Sequence, residues 1–291
     1  MKLLEESWQP PADHGYALLE PSNRPHFVEE AALAGLPCTP CGAERSEHLM
    51  PRLIDLGRAS ESDRELFQDL CSGELSEVRP PFICAWFASD LTVNELSALV
   101  AEPLVGSIGG RRLLWRYYDP RVLSLAYSVL TPMQRDALFH GIKSWAFPWS
   151  SQWWCIEGHQ SCATHLERAY QSWPSNDQWM TISSSEIVHR IHSEIRARRT
   201  IQVRDLHVVQ QLLVSGMREA AVLLRLQDSI EQAEYARLLV LYGDAFRYHR
   251  SLEGLRSKVA SGRMAWAEFC NAVSEDELER LIDGVRSYSL S

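Results

Sequence analysis

The sequence predicts an α+β protein: an N-terminal α/β lobe with a small mixed sheet over residues 1–178, then an all-helical lobe over residues 179–291. Three observations carry this. Short apolar runs alternate with helical patterns up to about Glu157. Beyond Trp179, apolar residues recur at helical spacing and strand signals stop. Hydrophobic residues make up 45% of the 291, enough for a sizeable core, with ordinary Pro and Gly content.

The first fifteen residues, with Pro10-Pro11, read as an arm. Tyr16 to Glu20 reads as a strand and Pro21 to Pro25 as a turn. A helix is expected from Phe27 to Leu36, then a loop over residues 37–48. Arg52 to Leu56 is the second strand, and Glu61 to Cys71 a helix with Leu66, Phe67 and Leu70 inward. Phe82 to Ala88 is apolar enough for a strand buried on both faces. Thr92-Val93-Asn94-Glu95 is a capping box, so a helix runs from there to about Glu102 with Leu96, Leu99 and Val100 against the sheet. A turn over Gly106 to Gly110 follows.

Gly110 to Leu130 is the central stretch. Leu113 to Tyr118 has the composition of a buried strand. Asp119 stops it as a helix N-cap, because its carboxylate can accept free amide hydrogens of the first turn. Pro120 suits the first helical position. Val122, Leu125, Ala126 and Val129 follow at helical spacing, and Arg116 and Arg121 flank the turn. Strand, helix, strand, helix implies parallel pairing with a right-handed crossover. Thr131-Pro132-Met133-Gln134 opens another helix, with Ala137, Leu138, Ile142 and Trp145 as its stripe, and Gln152 to Glu157 is a last strand. In the second lobe, helices are expected from Ser183 to Ile195, Leu206 to Leu226, Ile230 to Ala245, Met264 to Val273 and Leu278 to Val285. The last is capped by Ser274.

The formal charge of −9 is uneven: residues 1–110 carry 7 Lys or Arg against 18 Asp or Glu, the remainder 22 against 20. An acidic front half argues against nucleic acid as a partner. No apolar run approaches the ~20 residues of a membrane span, and Met1 to Glu6 lacks a signal-peptide core. Seven cysteines in a chain of this size read as reduced thiols in a cytoplasm.

Candidate chemistry is sparse. The Arg116, Asp119, Arg121 group reads as architecture, since the cap already explains Asp119. Cys38 and Cys41 with His48 form half a zinc site, and Cys162 with His165, near Cys155 and His159, the other half. Tetrahedral zinc needs four such ligands together, and ordinary thiols are the simpler reading, so no metal or cofactor is expected. His189 and His192 share a helix face without a third ligand. Six of the ten tryptophans, Trp145, Trp149, Trp153, Trp154, Trp173 and Trp179, fall within 35 residues. They read as a core seam between lobes, or else as a binding surface. Nucleophile elbow, phosphate loop, dinucleotide and zinc-protease signatures are all missing. The rival classes are a zinc-dependent enzyme and a Trp-lined glycan-binding module.

Arg116-Tyr117-Tyr118-Asp119-Pro120-Arg121-Val122, preceded by Gly110-Arg111 and Leu113-Leu114, resembles the central motif of the type VI secretion effector chaperones, or adaptors. Thr131-Pro132 leading to Trp145, the Tyr16–Glu20 strand and the Pro51–Leu56 strand are similar to that family's too; the resemblance spans roughly Tyr16 to Trp149. Trp115 stands where the family often has Phe. The resemblance implies a cytoplasmic, non-enzymatic protein with two partners: a toxic effector and a spike protein of the VgrG type onto which it is loaded. Neither nucleic acid nor membrane is expected. The structural motif is then Arg116, Tyr118, Asp119, Pro120 and Arg121, and the candidate effector-binding residues are Trp149, Trp153, Trp173, Arg196 and Arg199.

Overall fold

The computed structural model describes residues 1–29, 33–75, 79–158, 171–198, 206–274 and 276–280. The chain is mixed α/β and divides into two compact units, Met1–Ile182 and Ser183–Ser291. A cut at residue 178 would pass through the helix Asn176–Ile182. That helix belongs with the first unit for a physical reason. The Gln178 side-chain amide forms a reciprocal pair with that of Gln134, at 2.9 and 2.8 Å, and donates to the Val129 carbonyl at 2.9 Å.

The first unit contains strands β1 (Lys2–Leu3), β2 (Tyr16–Leu19), β3 (Leu36–Pro37) and β4 (Arg52–Asp55), helix α1 (Glu61–Glu74), β5 (Ile83–Ala88), helix α2 (Val93–Ala101), β6 (Val105–Ile108), β7 (Arg111–Leu114), helices α3 (Pro120–Val129) and α4 (Pro132–Leu138), and strands β8 (Ser144–Trp149) and β9 (Gln152–Glu157). Seven strands form one sheet in the order β1-β9-β8-β5-β2-β4-β3, and every pairing is antiparallel. The expected mixed sheet with a parallel crossover is therefore corrected. After α2 the chain does not return to the sheet. It passes through Pro103 into a separate two-stranded hairpin, β6–β7. Gly109 and Gly110 both have positive φ (55° and 76°), the backbone that closes a tight two-residue hairpin. The strand expected over Leu113–Tyr118 thus ends at Leu114, and residues 106–108, expected in a turn, are strand.

The neighbour of β5 on its other side is β8, with Trp86 opposite Ala146 and Phe87 opposite Trp145. Trp145 is therefore a strand residue rather than the end of a helical stripe, because α4 stops at Leu138. The Phe27–Leu36 helix is also corrected: the described residues on either side form turns and then β3. Phe27 is 72% exposed. The Leu33 amide goes to the Asp63 carboxylate at 3.1 Å instead of into a helical ladder.

Local signals fix the helices that position the centre. Thr92 and Thr131 make complete capping boxes with Glu95 and Gln134. Ser60 caps α1 through the Asp63 amide. At the other end of α1, the buried Glu74 carboxylate accepts from the Phe82 and Ile83 amides at 3.1 and 3.2 Å and from Arg79 at 2.8 Å. It thereby ties the helix to the start of β5. Burial pushes this carboxyl above its usual range despite Arg79 and the two amides.

The second unit is helical among its described residues: Ser185–Arg198, Leu206–Leu223, Ser229–Tyr248, Arg250–Ala260 and Trp266–Ala272. Its core includes Leu213, Ala220, Ala236, Phe246 and Phe269. At Gly216 a Cβ would lie 2.9 Å from that of Ala236, so these two helices approach too closely there for a side chain. Gly243, at φ 55°, kinks Ser229–Tyr248. The helix Arg250–Ala260 carries no expectation from the sequence. Most of the one expected from Leu278 to Val285 lies outside the described residues, though Ser274 does accept the Glu277 amide at 3.2 Å. Among the described residues, no helix is long and apolar enough to cross a membrane.

Candidate functional site

The end of β2 delivers an acid into the core. Glu20 is 1% exposed, and its amide is held by the Phe82 carbonyl at 2.8 Å. A lone carboxylate there would be costly, and the turn after β7 supplies its partners. Arg116 Nη2 donates to Glu20 Oε2 at 2.6 Å and the Tyr118 hydroxyl to the same oxygen at 2.7 Å. Ser22 satisfies Oε1 through its amide, at 3.1 Å, and its hydroxyl.

One residue further on, Asp119 caps α3. Its Oδ1 accepts the Arg121 amide at 3.0 Å, as an N-cap should. Arg121 also folds back on the same carboxylate, with Nε to Oδ1 at 3.0 Å and Nη2 to Oδ2 at 2.6 Å. Pro120 is buried at the first helical position. Arg116 and Tyr118 of the motif thus meet Glu20, a partner that sequence reasoning missed, while Asp119, Pro120 and Arg121 build the adjoining helix cap. The signal for Glu20 was an acid closing an otherwise apolar strand just before Pro21.

The electrostatics follow from this geometry. Burial, then the Glu20 charge and hydrogen bond, push the Tyr118 hydroxyl well above its usual range. Burial does the same to Tyr117, whose hydroxyl donates to the Val100 carbonyl at 3.1 Å. Burial opposes the charge of Arg116, but Tyr118, Glu20 and Asp119 outweigh it and hold the guanidinium more firmly protonated. The hydrogen bond to Asp119 does likewise for Arg121. The Cys84 thiol beside them is raised by burial first and by Asp119 and Glu20 next. Every charged group here is bound to another, and no nucleophile is activated. The arrangement locks the turn between β7 and α3 onto the end of β2.

A pH prediction follows. Tyr117 and Tyr118 have folded values raised above the ordinary 10.0, so their contribution to stability is fully present below pH ~10 and is lost as pH rises beyond it. In an alkaline titration followed at the phenolate absorbance, these two rings ionise only together with unfolding. Free ionisation of all nine tyrosines before any loss of circular dichroism would contradict the buried placement.

The tryptophans are mostly core. Trp145 is fully buried and stacks on Phe87 at 4.9 Å. Trp149 and Trp153 are 3% and 2% exposed, packed against Trp154 and Trp8 respectively. Neither offers a contact surface, which corrects their place among the effector-binding candidates and removes an exposed glycan platform built on them. Trp173 is half-buried, stacked on Trp179 at 5.6 Å and edge-on to Trp115 at 5.5 Å. Arg196 is half-buried, and Arg199 lies outside the described residues.

Of the suggested zinc ligands, Cys38, Cys41, His48 and Cys155 lie among the described residues. Cys38 is buried, its thiol pushed up to about 12 by burial, while Cys41 is exposed. Cys162, His165 and His159 lie outside the described residues. Among the described residues, no group of three His, Cys, Asp or Glu side chains is placed to hold a metal.

A cavity of about 720 Å³ lies in the first unit. Thr39 to Cys41, Ala98, Ala101 and Glu102 line one side, and Val105 to Ser107, Gly110 and Arg112 the other. A second, of about 420 Å³, lies in the helical unit by Glu219, Tyr235, Arg247 and Arg256. There Glu219 already accepts from Tyr235 at 2.6 Å and from Arg247 Nε and Nη2. Compared with family models, with curated proteins and with solved structures, the chain matches none.

Proposed function

We propose that this chain is a non-enzymatic chaperone of the type VI secretion kind. It binds a toxic effector in the cytoplasm of the producing bacterium and helps to load it onto the spike protein. The observation that carries the reading is the Arg116–Val122 motif, with its resemblance to that family. Two features of the molecule support it. The motif's charges are consumed in holding Glu20 and the α3 cap, which is architecture rather than catalysis. The helical unit exposes large apolar side chains, among them Val208, Leu212, Val222, Leu223 and Ile230, of the kind that cover an apolar segment of a partner.

The test is co-expression with each toxin encoded beside this gene, followed by size-exclusion chromatography. A stable complex of this kind buries on the order of 1,600 Å². One toxin should therefore co-elute and be less soluble when made alone, and its secretion should fail in a strain lacking this gene. If none co-elutes and all are secreted normally without it, the reading is wrong.

A further inference from the structure

The β6–β7 hairpin stands apart from the seven-stranded sheet. The Trp115 amide donates to the Leu104 carbonyl at 2.6 Å, which makes those two residues a hydrogen-bonded pair. The register runs Val105 opposite Leu114, Gly106 opposite Leu113, Ser107 opposite Arg112 and Ile108 opposite Arg111. Hydrogen-bonded and non-bonded pairs alternate along an antiparallel ladder. The amides and carbonyls of Val105 and Ser107 on β6, and of Arg112 and Leu114 on β7, therefore point away from the hairpin. Among the described residues no strand pairs with either edge.

The two faces differ. A Cβ on Gly106 would lie 2.5 Å from the Trp173 ring, so that indole lies directly on one face. The other face, with Val105, Ser107 and Arg112, borders the 720 Å³ cavity. Its far wall is Ala98 and Ala101 of α2, whose short side chains leave the room. Arg111 and Arg112 at the tip are exposed. Arg112 gives one hydrogen bond to the Cys41 carbonyl at 3.3 Å, and neither arginine is ion-paired among the described residues.

We propose that the β6 edge accepts an extended segment of a partner protein as an added strand, and that this segment is acidic with small apolar residues between its carboxylates. The open amides and carbonyls of Val105 and Ser107 supply the main-chain ladder. The cavity beside them takes every second side chain, and the two arginines select the charge. Unprotected edges are normally blunted or covered; this one is kept open beside a cavity. The inference deepens the chaperone reading and rests on it only for the identity of the partner.

The probe is an octapeptide of alternating valine and glutamate, capped at both ends, added to the intact protein. Residue-resolved hydrogen exchange should show the Val105 and Ser107 amides, fast in the free protein, slowed by the peptide. The Gly106 amide, already in the ladder, should not change. The variant Ser107→Pro removes an outward donor and leaves the hairpin's own bonds in place; it should weaken peptide binding ~10-fold or more with little change in melting temperature. Should that variant fold poorly, Arg111→Glu with Arg112→Glu gives the second reading, a comparable loss that reverses for an alternating valine and lysine peptide. Absence of protection at Ser107, or unchanged affinity after the charge reversal, would overturn the proposal. A neighbouring toxin that co-elutes equally with wild type and Ser107→Pro would also overturn it, while leaving the chaperone reading intact. If no toxin co-elutes with wild type, the chaperone reading falls and the peptide measurement alone decides the edge.

Discussion

Replacing Glu20 with alanine should lower the stability of the first unit by about 3 kcal/mol. The carboxylate accepts from Arg116, Tyr118 and Ser22. Its removal leaves the buried Tyr118 hydroxyl without a partner and uncouples the turn before α3 from β2. The Arg116 side chain is 38% exposed, so its charge can regain some water. That keeps the loss at the lower end of the range for broken buried ion pairs. Glu20→Gln retains one acceptor oxygen and should cost less, about 1–2 kcal/mol. Urea unfolding at neutral pH, followed by tryptophan fluorescence, measures both. A Tyr118→Phe, Glu20→Ala double-mutant cycle should show coupling, since the two groups share one bond. An alanine variant within experimental error of wild type would mean the cluster is incidental to the fold.

Trp153→Ala should be the most damaging substitution among the residues first considered for binding, at about 3–5 kcal/mol. The ring is 2% exposed and packs edge-on to Trp8 at 5.6 Å. Its backbone carbonyl also accepts from the Leu4 amide at 3.0 Å; the ring's contact with Trp8 adds to that bond in seating the N-terminal segment on the sheet. Loss of the ring opens a cavity that Trp8 alone does not fill. The expected signature is a large drop in melting temperature. A variant that melts like wild type would contradict the buried placement of Trp153.

The elements that sequence could reveal are those with local causes. Two threonine capping boxes, the Asp119-Pro120 start of α3 and the continuous apolar run of β5 each depend on neighbours within a few residues, and each lies where the pattern puts it. Strand pairing depends on partners far away. Nothing in Phe82 to Ala88 says that β2 and β8 flank it antiparallel. β8 itself was hidden because it contains Pro148, and because its hairpin turns through Ser150 and Ser151 at positive φ (53° and 58°) rather than through glycine. The Gly109-Gly110 turn was legible as a turn, but not as the tip of a free-standing hairpin. Within the candidate site, the cap of Asp119 could be read directly. Glu20 could not, because its partners lie 96 and 98 residues away.

The order of strands in the sheet sets a timetable for synthesis. Lys2 and Leu3 pair with Cys155 and Trp154, so once made they must wait for nearly the last residues of the sheet. At ribosomal speeds of roughly 5–20 residues per second, that wait is on the order of 10–30 s. β2 and β4 can pair early, but β5 has one long edge unpaired until β8 emerges, and Phe87 lacks the Trp145 ring that will cover it. During that interval the nascent chain displays an apolar strand edge of its own, and whatever shields it in the cell acts before the first unit can close.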